Sequence, residues 1–257
     1  MSGLLQRVQA RFLRELFRAA KGGFVLKGGM AVATLYTQSR LTRDVDLDFP
    51  PARLRTAESL HNQIRRALQQ ALRGSGIVDV QISAPGKAEV SPKWKVRGRG
   101  PSGEPFSMKV EVSRRPPPPG RVRQVAVSGV AAYGLGTFYV DLYDENTLVA
   151  MKLAALLERT AIRDVYDLDL LLPEHPPGPS LIEWALEHAG LAPHDAVRRV
   201  QHQLTAMDWN LFRSQMLIDP AVLERFEEMT WEDMKGRVQR ALTNLLDAYS
   251  VRPTKSP

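Results

Sequence analysis

Three aspartates at alternate positions, Asp44, Asp46 and Asp48, stand between Val45, Leu47 and Phe49, and they are the residues of this sequence best suited to chemistry. At a period of two they share one face of a strand, while the apolar residues take the other. Carboxylates lined along one face repel each other unless something positive sits among them, so the pattern asks for a cation. A second motif precedes it: Lys27-Gly28-Gly29, with fourteen residues between Gly29 and Asp44. A glycine turn that feeds a helix N-terminus brings backbone donors close enough to hold phosphate oxygens. Nucleotidyl transfer needs both parts, since divalent metals on adjacent rigid carboxylates must bridge a triphosphate and an attacking hydroxyl.

The elements that must position these residues follow from local pattern. Phe24 to Lys27 reads as a short strand, Gly28-Gly29 as a tight turn, Met30 to Thr37 as a helix, and Pro50-Pro51 ends the aspartate strand. Helices are expected over 4–20, with Leu5, Val8, Phe12 and Leu16 on one face, and over 53–72, closed by Gly74 and Gly76. Strands are expected at Ile77 to Ser83, Lys93 to Val96, Phe106 to Ser113 and Val122 to Val127. From Tyr143 the pattern turns helical. The proline-rich stretch 173–179 is the candidate boundary, giving a catalytic domain over 1–172 and a helical C-terminal domain over 180–250, with Ser180, Asp208 and Thr230 placed as helix N-caps.

Composition narrows the class. No apolar run approaches the length of a membrane span, and the N-terminus reads as an amphipathic helix rather than a signal peptide, so a cytoplasmic protein is expected. The absence of cysteine removes disulfides, thiolate zinc sites and thiol nucleophiles. Between Lys87 and Arg123 lie ten basic and three acidic residues, an excess equal to the net charge of +7 for the whole chain. That concentration suits either a solvated sheet edge or a surface for a phosphate backbone.

Other patterns lead elsewhere. Gly98-Arg99-Gly100-Pro101-Ser102-Gly103 fits a dinucleotide fingerprint by spelling, but Pro101 and Pro105 interrupt it and a strand follows where a helix is required, so it is a loop. No GxxxxGK[ST] phosphate loop is present, and the histidines at 61, 175, 188, 194 and 202 show no zinc spacing and are expected on surfaces. Trp94 can stack on a base or fill a core.

The run Lys27-Gly28-Gly29, Arg40, Thr42 and Asp44-Val45-Asp46-Leu47 resembles the DNA polymerase β-like nucleotidyltransferases, and within them the AbiEii-like toxins of abortive-infection and type IV toxin–antitoxin systems. Met30 departs from many members, which carry Ser or Thr after the glycines. The resemblance implies an α/β (α+β) fold, a mixed sheet flanked by helices with a helical C-terminal region, and Mg2+ or Mn2+ as cofactor. It selects Asp44 and Asp46 as metal ligands. Lys27, Gly28, Gly29, Arg40 and Thr42 fall to the nucleotide. It also implies a third carboxylate on a neighbouring strand, a metal ligand or a base for the acceptor hydroxyl. Glu111, on the polar face of Ser107 to Ser113, fits that place, and the alternative is an ordinary Lys109–Glu111 surface neighbourhood.

Lys152 is the one charge within Leu148 to Leu157, and a buried ammonium needs an anion unless it reaches the surface. The resemblance extends through Lys152, Arg159 and Arg163-Asp164-Val165-Tyr166-Asp167-Leu168. It implies that Lys152 binds nucleotide phosphates and that Asp167 completes the site. For Arg159, Arg163 and Asp164 an internal ion-pair network is the competing reading.

The activity implied is transfer of a nucleoside monophosphate from an NTP to RNA, the 3′ acceptor end of tRNA above all, with release of pyrophosphate. A cognate antitoxin is the implied partner. Transfer to a protein or a small molecule, or non-catalytic binding of NTP or RNA, are the alternatives.

Overall fold

The structure is a computed structural model and describes residues 2–19, 23–35, 41–49, 57–85, 90–127, 133–215 and 226–251. By packing, the chain divides into two units. The first runs to Pro117 and resumes over Val122–Tyr143, and the second takes Pro118–Arg121 and everything from Asp144. The division thus falls ahead of the helices that follow Tyr143, some thirty residues before the proline-rich stretch 173–179 expected to mark it.

The first unit is built on one mixed sheet of seven strands among the described residues. These are β1 (Val25–Lys27), β2 (Asp44–Asp48), β3 (Val78–Ile82), β4 (Lys93–Arg99), β5 (Pro105–Ser113), β6 (Val122–Val127) and β7 (Phe138–Tyr143), in the spatial order β3-β4-β5-β2-β1-β7-β6. The central pair β2 and β5 is parallel, as are β1 and β7, and the remaining neighbours are antiparallel. Helices α1 (Ser2–Ala19), α2 (Gly28–Leu35) and α3 (Ala57–Leu72) complete it. β7 is the strand that the pattern search leaves out, although Phe138, Val140 and Leu142 alternate with Tyr139 and Asp141 as a half-buried strand should.

Register explains why the aspartates face as they do. Val45 and Leu47 of β2 are fully buried, with Val110 and Val112 of β5 beside them and Leu26 of β1 opposite Leu47. A slip of one residue would turn these side chains out and carry the carboxylates into the core, so the apolar face locks the acidic one. Behind the apolar face, α1 packs on α3 and reaches β5 and β7, contributing the buried Val8, Phe12 and Leu16. Leu60, Ile64 and Leu68 of α3 are buried as well. Trp94 of β4 is fully buried and donates its Nε1–H to His61 Nδ1 of α3 at 3.1 Å, which makes it a core residue and draws His61 off the open surface. The GxGxxG spelling is the β4–β5 hairpin: Gly98 and Arg99 close β4, and Gly100 N–H donates to the Glu104 carbonyl across the turn.

The described part of the second unit is helical, with α4 (Glu145–Glu158), α5 (Ile162–Leu171), α6 (Pro179–Ala189), α7 (Pro193–Thr205), α8 (Trp209–Gln215) and α9 (Glu228–Ser250). α4 is apolar nearly all round and so requires cover on every side. It packs on α5, α6 and α7, while α9 packs on α5 and α7, which is why α4 and α5 belong with the C-terminal helices. Asp144 caps α4, accepting from Thr147 N–H at 3.0 Å, and Asp208 caps α8, accepting from Leu211 N–H at 2.7 Å. Ser180 and Thr230 lie inside their helices instead, behind Gly178 and Glu227 at the caps.

Candidate active site

The polar face of the sheet collects the charged groups. Along β2 and β5 the register pairs Asp44 with Lys109, Asp46 with Glu111 and Asp48 with Ser113. Paired residues project to the same side, so two strands place three of the expected ligands, Asp44, Asp46 and Glu111, in one neighbourhood. Lys109 stands among them, its Nζ 3.3 Å from Asp44 Oδ2 and 3.5 Å from Glu111 Oε2, and Lys93 of β4 lies 3.5 Å from the same Glu111 oxygen. The side chains of Lys109, Asp44 and Glu111 retain 29%, 27% and 25% of their exposure, so the face is open to solutes.

Electrostatics single out Asp46. Burial and then the charge of Asp44 push its carboxyl above the usual carboxylate range, with a lesser push from Glu111, and Lys109 and Lys27 pull the other way. For Lys109 burial alone would lower the ammonium, but Asp44, Asp46 and Glu111 together outweigh it and hold Lys109 above the usual lysine range. The three carboxylates of the face are thus met by the ammonium groups of Lys109 and Lys93.

The glycine turn meets this face directly. β1 runs into α2 with no intervening loop, and Gly28 opens the helix at a φ of 66°. A Cβ at Gly28 would sit 2.5 Å from Asp46 Oδ2. Glycine is therefore required twice, by the left-handed backbone and by the approach of the carboxylate. The first N–H groups of α2, which have no partner within the helix, open beside Asp46. Thr42 is buried and spends its hydroxyl on the strand entry, donating to the Asp44 carbonyl at 3.1 Å and accepting from Asp44 N–H at 3.2 Å. Arg40 lies outside the described residues.

Lys27 and Asp48 form a separate pair. Asp48 is buried, accepts from Lys27 Nζ at 2.5 Å and from the Tyr143 hydroxyl at 2.7 Å. Burial and then Asp48 raise the Tyr143 hydroxyl far above the ordinary range, so it stays a donor. The third aspartate of the motif thus ties β2 to β1 and β7. Lys109 and Tyr143 are the two residues of this face that sequence reasoning passes over. The first is read as surface and the second lies on the strand that was not anticipated.

Lys152 and Asp167 belong to the second unit. Lys152 Nζ lies 2.7 Å from Asp164 Oδ1 and 2.6 Å from Asp167 Oδ2, and all three residues are buried. Arg159 approaches Asp164 Oδ2 at 3.7 Å from an exposed position. The i, i+3 spacing of Asp164 and Asp167 puts both carboxylates on the side of α5 that meets α4, where Lys152 is the anion-seeking group. This is the internal network considered for Asp164, widened to take in Lys152 and Asp167.

A mixed sheet with paired aspartates on a central strand, beside a helix that a glycine pair begins, is the arrangement expected of a nucleotidyltransferase. The chain belongs to the family described as nucleotidyl transferase AbiEii toxin, type IV toxin–antitoxin system, whose model matches residues 11–246. Solved structures share the fold. JHP933 from Helicobacter pylori is similar with a TM-score of 0.59 at 18% identity, over 97% of this chain and 96% of that one. MenT4, a nucleotidyltransferase toxin from Mycobacterium tuberculosis, is similar with a TM-score of 0.60 at 19% identity, over 96% of this chain and 93% of that one. No protein of curated description matches the chain. Among the described residues no helix is long and apolar enough to cross a membrane.

Proposed function

We propose that the chain transfers a nucleoside monophosphate from an NTP to RNA, with the 3′ acceptor end of tRNA as the favoured acceptor, in the cytoplasm and under control of a cognate antitoxin. The observation that carries the RNA reading is β4. Lys93, Lys95, Arg97 and Arg99 alternate with Trp94 and the buried Val96 and are all exposed. Lys93 pairs with Glu111, Lys95 with Lys109 and Arg97 with Ser107, so the cations lie on the same face as the carboxylates. A cationic row that leads to an acidic centre suits a polyanion whose end must reach that centre.

Asp44, Asp46 and Glu111 would hold a divalent cation there. Their donors are all carboxylate oxygens, the set that Mg2+ and Mn2+ prefer. When bound, such an ion supplies charge that polarises the α-phosphate and acidifies the acceptor hydroxyl. The chain's own groups do the rest. The N–H groups that open α2 hold phosphate oxygens, and the β2–β5 register keeps the carboxylates in place. The hydroxyl oxygen attacks the α-phosphorus, the bond to pyrophosphate breaks, and Glu111 Oε2 takes the hydroxyl proton. Lys152 and Asp167 are proposed to serve the same reaction, as the family resemblance implies.

The test is incubation of the full chain with each labelled NTP, Mg2+ and total cellular RNA, followed by sequencing of RNA 3′ ends. Added nucleotides at tRNA ends are expected, with loss of at least about a hundredfold in Asp46→Ala and full loss in chelator. Label recovered in protein, or transfer that survives Asp46→Ala, would overturn the reading.

A further inference from the structure

Lys109 has no part in the reading above, yet its placement is the most unusual of the face. β5 sends Met108, Val110 and Val112 into the core, and Lys109 rises on the other side between Asp44 of β2 and Lys95 of β4. One ammonium thereby spans carboxylates of two strands, 3.3 Å from Asp44 and 3.5 Å from Glu111. Among the described residues no three acidic or histidine side chains converge closely enough to hold a metal ion. Lys109 Nζ thus lies beside an oxygen of each of two carboxylates that a bound cation would use.

We propose that Lys109 is the resident counter-cation of the active site, competing with the divalent cation for Asp44, Asp46 and Glu111 and so setting the affinity for it. The inference rests on the reading of these three carboxylates as metal ligands. Without the ion, Lys109 offsets the repulsion among aligned carboxylates and keeps the face folded. With the ion, two cations cannot share the same oxygens, and the four-carbon stem of lysine lets its head swing to solvent at small cost. Arginine would fit this task less well, because its planar fork grips carboxylates by two bonds and exchanges less readily.

Mn2+ binding to the full chain without nucleotide, followed by the electron paramagnetic resonance signal of free Mn2+, tests the proposal. Lys109→Met is expected to bind about tenfold tighter or more, since a unit positive charge leaves the immediate surroundings of the ligands. Lys95→Met removes a charge one strand further out and is expected to shift affinity by less than about threefold. Unchanged or weaker binding in Lys109→Met, with wild-type binding that Asp46→Asn abolishes, would overturn the competition while leaving the metal site standing. Wild-type binding indifferent to Asp46→Asn would remove the metal reading and this inference with it. Because Lys109→Met can fail to fold, the wild type carries a second readout. Amine-reactive labelling of Lys109, measured by mass spectrometry against Lys95, is expected to rise severalfold when Mn2+ is added. No change in that ratio at saturating Mn2+ counts against displacement.

Discussion

The fold raises the pKa of the Asp46 carboxyl. Its charged form is disfavoured in the fold, first by burial and then by Asp44 and Glu111. A carboxyl with a raised folded-state value binds its proton more tightly native than unfolded, so ionising it weakens the fold. That cost is absent below the ordinary carboxylate range, grows as pH rises towards the folded value, and is complete above it. In chelator, Asp46→Asn is therefore expected to melt at a higher temperature than wild type near neutral pH. The gain should disappear as the pH falls to about 4. Thermal denaturation of both proteins across pH measures this, and a difference independent of pH would mean that Asp46 is not under charge strain. Stability and activity pull in opposite directions at this position, as expected where carboxylates are gathered for a cation.

Within β2 the three aspartates do different work. Asp44 is a quarter exposed and its partner Lys109 is as open, so removing it relieves repulsion as much as it breaks an ion pair. Asp48 is buried beneath Lys27 and Tyr143, and its loss removes the partner of a half-buried ammonium and leaves a buried hydroxyl unpaired. Asp48→Ala is expected to lose about 3 kcal/mol in urea denaturation, against less than about 1 kcal/mol for Asp44→Ala. Nucleotide transfer should follow the reverse order, absent in Asp44→Ala and measurable in folded Asp48→Ala. If instead Asp44→Ala is active and Asp48→Ala is stable but inert, the working pair is Asp46 with Asp48. In the second unit Lys152, Asp164 and Asp167 are buried together, and the ammonium lies within 2.7 Å of both carboxylates, joining α4 to α5.

At the scale of the molecule, the positive charge is gathered rather than spread. Four exposed cations on β4 share a face with the carboxylates, and an RNA docked there as proposed would release counterions for each phosphate contacted. RNA affinity should fall steeply with salt, and Lys95→Gln with Arg97→Gln should lower the slope of log affinity against log salt by about 2. Filter binding of a tRNA over a range of salt reads that slope. A slope unchanged in the double variant would place the RNA on another surface. The mixed sheet and the family to which the chain belongs make it a nucleotidyltransferase of the type IV toxin–antitoxin class.

Much of this was legible in the sequence because short-range patterns specify it. The alternation Asp44-Val45-Asp46-Leu47 fixes which side chains share a face, Gly28 marks a left-handed backbone position, and β5 and β6 follow from their own periodicity. β7 was equally readable in its alternation and was lost to the helical pattern just behind it. The boundary between units was not readable, since Pro173 to Pro179 looks like a linker whereas what groups α4 with the later helices is the cover that its apolar surface needs. The roles of Asp48 and Lys109 were not readable either. Asp48 is an anchor only because β1 and β7 bring Lys27 and Tyr143 to it, and Lys109 is a counter-cation only because β2 and β5 run parallel in one register. Sequence alone determined that this chain offers a glycine turn and aligned carboxylates, since both are local. Which carboxylate is open to a ligand and which is spent on the fold was decided by tertiary structure, because burial and charge pairing depend on strands far apart in the chain.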